Sequence, residues 1–352
     1  MNKSYTNLKK LEGKDNEIEF GAEIPLEILE GYIAKALTEH AENFSMPGFR
    51  KGKVPEHLVR ENINEMALLE TAADSALYEA LGEIIIDQKI SILGSPQITI
   101  TKIAPKNPLN FKVRLALQPE ISLPDYKKIG HAIAAKEEVV EVSDEEVKTA
   151  IQRIQDIFKK ASKENPDTPL PELTDEFVKQ LGPFQNVEEF KTEIKNQILT
   201  EKKIRLKETK RSEIVKKILE ESKLKIPQLF LDQEFQIFKE DQNSKLKEVN
   251  LTLESYLKES GKTLETLEKE ERTMIEEQIK TSLVLREIRE KEKITAEEKD
   301  IETNSALLKQ RYPNRSDDDI RRTAETIIIQ EKLFDLLEGA PKIEAKTETK
   351  EK

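Results

Sequence analysis

The sequence predicts an α+β N-terminal domain followed by a mostly α-helical C-terminal domain with arm-like helices. Three observations carry this expectation. Within the first 118 residues, apolar side chains alternate with period two in three short segments separated by helical patterns. Beyond residue 172 they recur at spacings of three and four almost without a break. Charged residues make up 36% of the 352 and aromatics only 5%, with no tryptophan, which is the balance of long solvated helices rather than of one dense globule.

The elements follow in order. Ile18, Phe20, Ala22 and Ile24 share one face of a strand over residues 17–24. A helix starts at about Pro25 with Leu29, Ile33, Ala34 and Leu37 as its buried stripe. A second helix, over 64–88, carries Leu69, Ala73, Leu77, Leu81 and Ile84. Two strands close the domain: Gln97–Ile103, with Ile98 and Ile100 on one face, and Asn110–Gln118, where Phe111, Val113, Leu115 and Leu117 alternate with Lys112 and Arg114. Residues 119–142 read as extended, with two prolines and β-branched alternation at the end. Ser143 and Glu146 form a capping box for a helix that reaches about Lys160. Three prolines make Lys163–Pro171 a linker. Val187, Phe190, Ile194 and Ile198 open a long helix that ends before Pro227. Further helices are predicted at about 228–248, 253–260, 264–292, 296–310 with Thr295 as cap, and 316–338. In the last, Ile320, Ala324, Ile327, Ile328, Phe334 and Leu337 define the apolar side, and Gly339 stops it. The Lys/Glu/Thr-rich residues 340–352 have the composition of a disordered tail.

Composition excludes several classes. The sequence has no cysteine, so disulfides, thiol catalysis and zinc–thiolate sites are ruled out. The N-terminus lacks an apolar h-region and no apolar run approaches the roughly 20 residues of a membrane span, so a soluble cytoplasmic protein without membrane contact is expected. The net charge of −11 argues against general nucleic-acid coating. His40, His57 and His131 fall in unrelated segments without metal-ligand spacing, and no metal or other cofactor is expected. Asp317-Asp318-Asp319 and Asp144-Glu145-Glu146 each precede a helical pattern and suit its dipole. The basic–acidic mix from Lys191 to Lys217 reads as i,i+4 pairs on a solvated helix.

One segment departs from this background. Gly48-Phe49-Arg50-Lys51-Gly52-Lys53-Val54-Pro55 places an aromatic and two cations between two glycines, adds a third cation and closes on a proline. Pro47 and Pro55 stiffen its flanks, and Pro55 can open a helix. Residues 41–60 hold four basic and two acidic side chains inside an acidic chain. Two readings are open from the residues alone: a docking tip that holds charge out in solvent, or an ordinary solvated turn with Phe49 buried beneath it.

The stretch GFRKGKVP resembles the ribosome-binding signature of trigger factor, a family of bacterial chaperones. The resemblance extends through FKVRLALQPEISLPDYK, VVEVSDEEVKTAIQRIQ, LPELTDEFVKQLGPFQNVEEFKTEIKNQI, LKIPQLFLDQEF and SLVLREIREKEKIT, in the family's order, over most of residues 9–340. It implies a ribosome-binding domain over 1–118, a connector, helix and linker over 119–171, and a helical substrate-binding domain over 172–339. Two departures stand out. Between Ile157–Lys160 and Leu170–Leu173, where the family carries an FKBP-type peptidyl-prolyl isomerase domain, about ten residues leave no room for one. The region between Arg311-Tyr312-Pro313 and Ile327–Gln330 is shorter than in the family, which leaves the second arm open to question.

The function implied is that of an ATP-independent chaperone, not an enzyme, at the ribosomal tunnel exit. Its partners would be the large ribosomal subunit, through protein with rRNA as a second contact, and nascent or unfolded polypeptides; a weak homodimer is compatible. Gly48, Phe49, Arg50, Lys51, Gly52, Lys53 and Pro55 would contact the ribosome. Phe184, Phe190, Phe230, Phe235, Phe238 and Leu285 stand as client contacts or as helix–helix core, and the sequence does not separate the two. Prolyl isomerisation through another site, and a helical scaffold for one fixed partner, are the alternatives. No GxxxxGK[ST] loop is present.

Overall fold

A computed structural model of the chain describes residues 3–11, 13–161 and 170–339. Most of the expected linker and the whole of the expected tail lie outside these residues. The chain divides into two compact units that are not linear segments: Met1–Ser122 with Lys223–Leu283, and Leu123–Ser222 with Val284–Lys352.

The first unit is built on an antiparallel sheet of β1 (Thr6–Leu11), β2 (Glu17–Ile24), β3 (Gln97–Lys102) and β4 (Leu109–Ala116) in the order β1-β2-β4-β3. The register pairs Ile18 with Leu115, Phe20 with Val113 and Ala22 with Phe111, so the alternating apolar residues of both central strands share one face. Helices α1 (Leu26–Asn43), α2 (Glu56–Asn62) and α3 (Glu65–Asp87) follow β2. Leu69, Ala73, Leu77, Leu81 and Ile84 of α3 are buried with Phe20, Phe111, Val113 and Leu115 in one core. Alanines at 73, 76 and 80 keep that helix face narrow, so α3 can sit close to the sheet.

The returning chain re-enters this unit at Lys223, which exchanges two backbone hydrogen bonds with Ser122 (2.9 and 3.0 Å). It then forms α8 (Gln228–Glu248), α9 (Leu253–Ser260) and the first part of α10 (Leu264–Lys291). Glu17, on β2, fixes the start of α8: its buried carboxylate accepts the Leu229 N–H at 2.8 Å and the Arg114 Nε at 2.8 Å. An anion against the first N–H groups of a helix is favoured by its dipole. Leu229 and Phe235 pack with Ile275, Ile279 and Leu283 below it. Side-chain pairs Asp232–Arg272 and Lys239–Glu268 run in opposite sequence directions, as in antiparallel helices, and Gln242 donates to Glu271 across the same pair of helices.

The second unit is helical: α4 (Tyr126–Ala134), α5 (Asp144–Ala161), α6 (Asp175–Leu181), α7 (Val187–Glu221), the end of α10, α11 (Glu298–Arg311) and α12 (Asp317–Glu338). Val147, Ile151, Phe177, Val178, Phe190 and Ile194 from α5, α6 and α7 make one core. Arg211 of α7 holds α12 by a bidentate fork on Glu331 (2.7 and 2.8 Å), a bond to Glu338 (2.6 Å) and stacking over Phe334.

Four sequence expectations change. Strand β1 was not signalled, because TNLKKL has no alternation; its pairing with β2 supplies the order. Helix α4 interrupts the stretch expected to be extended, capped by Asp125 at the Lys128 N–H, with Gly130 so close to α12 that a Cβ would lie 2.1 Å from the Leu337 carbonyl oxygen. The residue before α11 is Glu297, without a side-chain cap, rather than Thr295. Ala36 is buried in α1 in place of Ala34, and Ile327 of α12 is exposed.

Candidate functional site

The loop between α1 and α2 consists of two tight turns on an apolar footing. Phe49 N–H bonds to the Met46 carbonyl (3.1 Å) and Lys53 N–H to the Arg50 carbonyl (2.9 Å), so each turn has its glycine, Gly48 or Gly52, in the third position. Both glycines are left-handed, with φ of 91° and 72°. In the first turn, Pro47 and Gly48 occupy the positions that a type II turn assigns to proline and glycine. Gly52 is constrained twice: its N–H closes the loop on the Phe44 carbonyl (3.0 Å), and a Cβ there would lie 2.6 Å from the Glu42 carbonyl oxygen. A Cβ at Gly48 would meet open space.

The footing is a small core of Ala36, Leu37, Val54, Val59, Leu68 and Ala72, with Phe44 and Met46 packed against it. Pro55 then precedes α2, and its carbonyl accepts the Leu58 and Val59 N–H groups. Apolar side chains at both ends of the loop therefore point down, which leaves the middle to point out. Phe49 is 43% exposed, and Arg50, Lys51 and Lys53 are all exposed. Among the described residues, none of these three cations has a carboxylate partner. The structure thus brings Gly48, Phe49, Arg50, Lys51, Gly52, Lys53 and Pro55 together in one projecting tip, and Phe49 is not tucked beneath it.

The six candidate client contacts are distributed over both units. Phe190 (2% exposed) and Phe235 (3%) are core side chains, in the second and first unit respectively, and present no free face. Phe184 is partly buried edge-on to Phe190, with ring centroids 5.1 Å apart. Phe230 and Phe238 pack against the core that holds Phe235. Leu285 is partly buried in α10. Helical spacing marks where apolar residues fall but not which side is covered, so it favoured the core residues. The exposed apolar residues of α8–α10 are others: Ile237 (59%), Val249 (62%), Tyr256, Leu264 and Met274. No periodicity signalled them, because they stand singly among charged neighbours.

Two of the other groups singled out in the sequence have structural partners, His131 and the acidic run before α12. His131 Nε2 lies 3.3 Å from the Leu336 carbonyl oxygen. Asp317 pairs with Lys309, and the Asp319 N–H is capped by Ser316 Oγ at the start of α12. No cluster of three or more potential ligands suited to a metal occurs among the described residues. Gly261-Lys262-Thr263 follows α9, where Gly261 is its left-handed cap, and Tyr256 stands where a phosphate-binding loop needs its first glycine.

Comparison with known proteins places these features. The family model described as "Bacterial trigger factor protein (TF)" matches residues 5–154, and that described as "Bacterial trigger factor protein (TF) C-terminus" matches residues 186–337. Trigger factor of Streptomyces avermitilis is 31% identical over 140 residues, 40% of this chain and 29% of the relative. That of Cutibacterium acnes is 32% identical over 148 residues, 42% of this chain and 28% of the relative. These matches span less than a third of the relatives' own length. Trigger factor of Halothermothrix orenii is 22% identical over a longer alignment, 75% of this chain and 81% of the relative. A solved structure reported as "Promiscuous Substrate Recognition in Folding and Assembly Activities of the Trigger Factor Chaperone" superposes with a TM-score of 0.54 at 17% identity, covering 95% of this chain and 100% of that one. This last likeness concerns the fold. With a cationic glycine-hinged tip on its N-terminal sheet domain, and both family models matched in order, the chain belongs to the bacterial trigger factor family.

Proposed function

We propose that this protein is a ribosome-associated, ATP-independent chaperone that holds nascent or unfolded polypeptide at the tunnel exit, in the cytoplasm, without catalysing prolyl isomerisation. One observation carries the proposal: the Phe49–Lys53 tip is held between two left-handed glycines, exposed and locally cationic within a chain of net charge −11. Arg50 is suited to fork onto phosphate or carboxylate, Lys51 and Lys53 act as point charges, and Phe49 adds an apolar contact. Contacts of this kind are screened within about 8 Å at physiological salt, so docking is reversible and weakens as salt rises.

Client binding is assigned to the exposed apolar residues of the α8–α10 region, Ile237, Val249, Leu251, Leu264 and Met274 among them. Each fully buried side chain of this size contributes roughly 1.5–3 kcal/mol, much of which is offset by ordering the client. The hold is therefore weak and distributed, and a client leaves without nucleotide hydrolysis. The absence of isomerase catalysis is inferred from the two family models matched, which are the N-terminal and C-terminal ones. Association with the large subunit through protein and rRNA, and a weak homodimer off the ribosome, complete the reading.

The test is co-sedimentation with 50S subunits. The wild type is expected in the pellet at low salt and the Arg50→Ala, Lys51→Ala double variant in the supernatant; undiminished binding of that variant overturns the assignment. Acceleration of proline-limited refolding by catalytic amounts of the protein would overturn the non-isomerase part alone.

A further inference from the structure

The helical unit carries an aromatic and cationic tip of its own, between α11 and α12. Residues 303–316 hold three basic side chains, Lys309, Arg311 and Arg315, and no acidic one, in a chain of net charge −11. The Arg315 N–H bonds to the Tyr312 carbonyl at 3.2 Å, which closes a tight turn with Pro313 in its second position. Lys309 Nζ ties this turn down: it donates to the Arg315 carbonyl and pairs with Asp317, each at 2.7 Å. Residues 311–316 are all exposed, and Tyr312, at 42%, is as open as Phe49. The Arg311 and Arg315 guanidinium carbons lie 5.7 and 5.3 Å from the centre of the Tyr312 ring, so three planar groups are gathered at one point. Arg311 has no carboxylate partner among the described residues. Arg315 meets Asp319 through Nε alone, at 3.6 Å, which leaves its terminal nitrogens as donors.

We propose that the Arg311–Arg315 tip binds single-stranded RNA. A base stacks against Tyr312 and its flanking guanidiniums, and the adjoining phosphates sit on Arg311 and Arg315. Unpaired nucleotides need both things the tip offers: a guanidinium fork for phosphate, and an aromatic or guanidinium plane for the base. An acidic peptide would use the charges and leave the planar faces idle. Lys309 is occupied by Asp317 and by the turn, so the site has two phosphate contacts rather than three. The run Asp317-Asp318-Asp319 follows directly and repels a polyanion, so the hold is weak and reversible. Docking through Phe49–Lys53 uses other residues, and neither assignment depends on the other.

Fluorescence anisotropy with a labelled oligouridylate of about ten nucleotides tests the site, on the full chain carrying Arg50→Ala and Lys51→Ala so that the first tip is silent. The logarithm of the association constant should fall against log salt with a slope of about −1.4 for two phosphate contacts. Arg311→Ala or Arg315→Ala should bring that slope to about −0.7. Tyr312→Ala should weaken binding about tenfold without changing the slope, whereas Tyr312→Phe should bind like its parent. Arg311→Lys with Arg315→Lys should keep the slope and still bind several-fold more weakly, because the charge stays and the planar fork is lost. The substituted side chains are all exposed, so each variant should unfold like its parent. These responses support the proposal. Absence of binding at low salt, or indifference to Tyr312→Ala, overturns it. So does equal or tighter binding of duplex RNA, which hides its bases, or of an oligoglutamate of the same length, which would make the tip a site for acidic peptide.

Discussion

Arg50 and Arg211 are the same residue in opposite employment. Arg211 is 14% exposed along its side chain, donates three hydrogen bonds to two carboxylates and lies over an aromatic ring. Arg50 stands on a turn with solvent around it and no carboxylate within the described fold. A guanidinium whose donors are already filled contributes to folding and has little left for a partner. One held away from its own chain contributes almost nothing to folding and keeps its donors for another molecule. The unit around the loop achieves this by anchoring Phe44, Met46 and Val54 in the small core below.

This contrast can be broken by substitution. The largest effect on stability is expected at Arg211→Ala, which strands Glu338 and Glu331 and removes the stacked group over Phe334; a loss of about 2–3 kcal/mol should appear in thermal or denaturant unfolding. Gly52→Ala comes next, at about 2 kcal/mol, because both the left-handed backbone and the Glu42 carbonyl oppose a Cβ. It should also weaken ribosome docking, since the tip must shift. Gly48→Ala meets only the backbone term and should cost about 1 kcal/mol. Arg50→Ala with Lys51→Ala should leave unfolding within about 0.5 kcal/mol of wild type while removing co-sedimentation. If that double variant melts like Arg211→Ala, the two arginines are not employed differently.

The smallest effect is a pH response at α5. The Glu146 carboxyl is lowered from 4.5 to about 2, first by Lys202 and then by the Ser143 N–H that it caps. A carboxylate depressed in the folded state adds stability that is fully present above its ordinary value and fades as pH falls toward 2. Protection of the amides at the start of α5, corrected for their intrinsic exchange rates, should therefore fall between about pH 4.5 and 2, and Glu146→Gln should remove that dependence.

Where one-dimensional pattern and local chemistry suffice, the fold was legible in the sequence. Phe20 and Phe111 lie on strands whose alternation decides their face, and the α3 stripe from Leu69 to Ile84 is the buried one. The turn glycines carry their own backbone requirement, so the tip could be read from Gly48 and Gly52. What escaped depends on contacts distant in sequence. Strand β1 is ordered by β2, and α4 by the close approach of Gly130 to α12. Ile98 and Ile100 were assigned to one face, but only the sheet order shows that they end at an open rim. Phe190 and Phe235 illustrate the limit for clients: apolar spacing finds a helix face, and tertiary packing decides whether any of it remains outside.

The Gln155 amide of α5 donates to the Pro171 carbonyl at 2.6 Å, and Leu173 and Phe177 rest on the same core as Val147 and Ile151. The residues on either side of 162–169 are thereby held to one another within one unit. Such a seam accepts or releases a whole module whose own ends sit side by side, with no strain passed to either flank. This site is therefore where a foreign domain could be grafted.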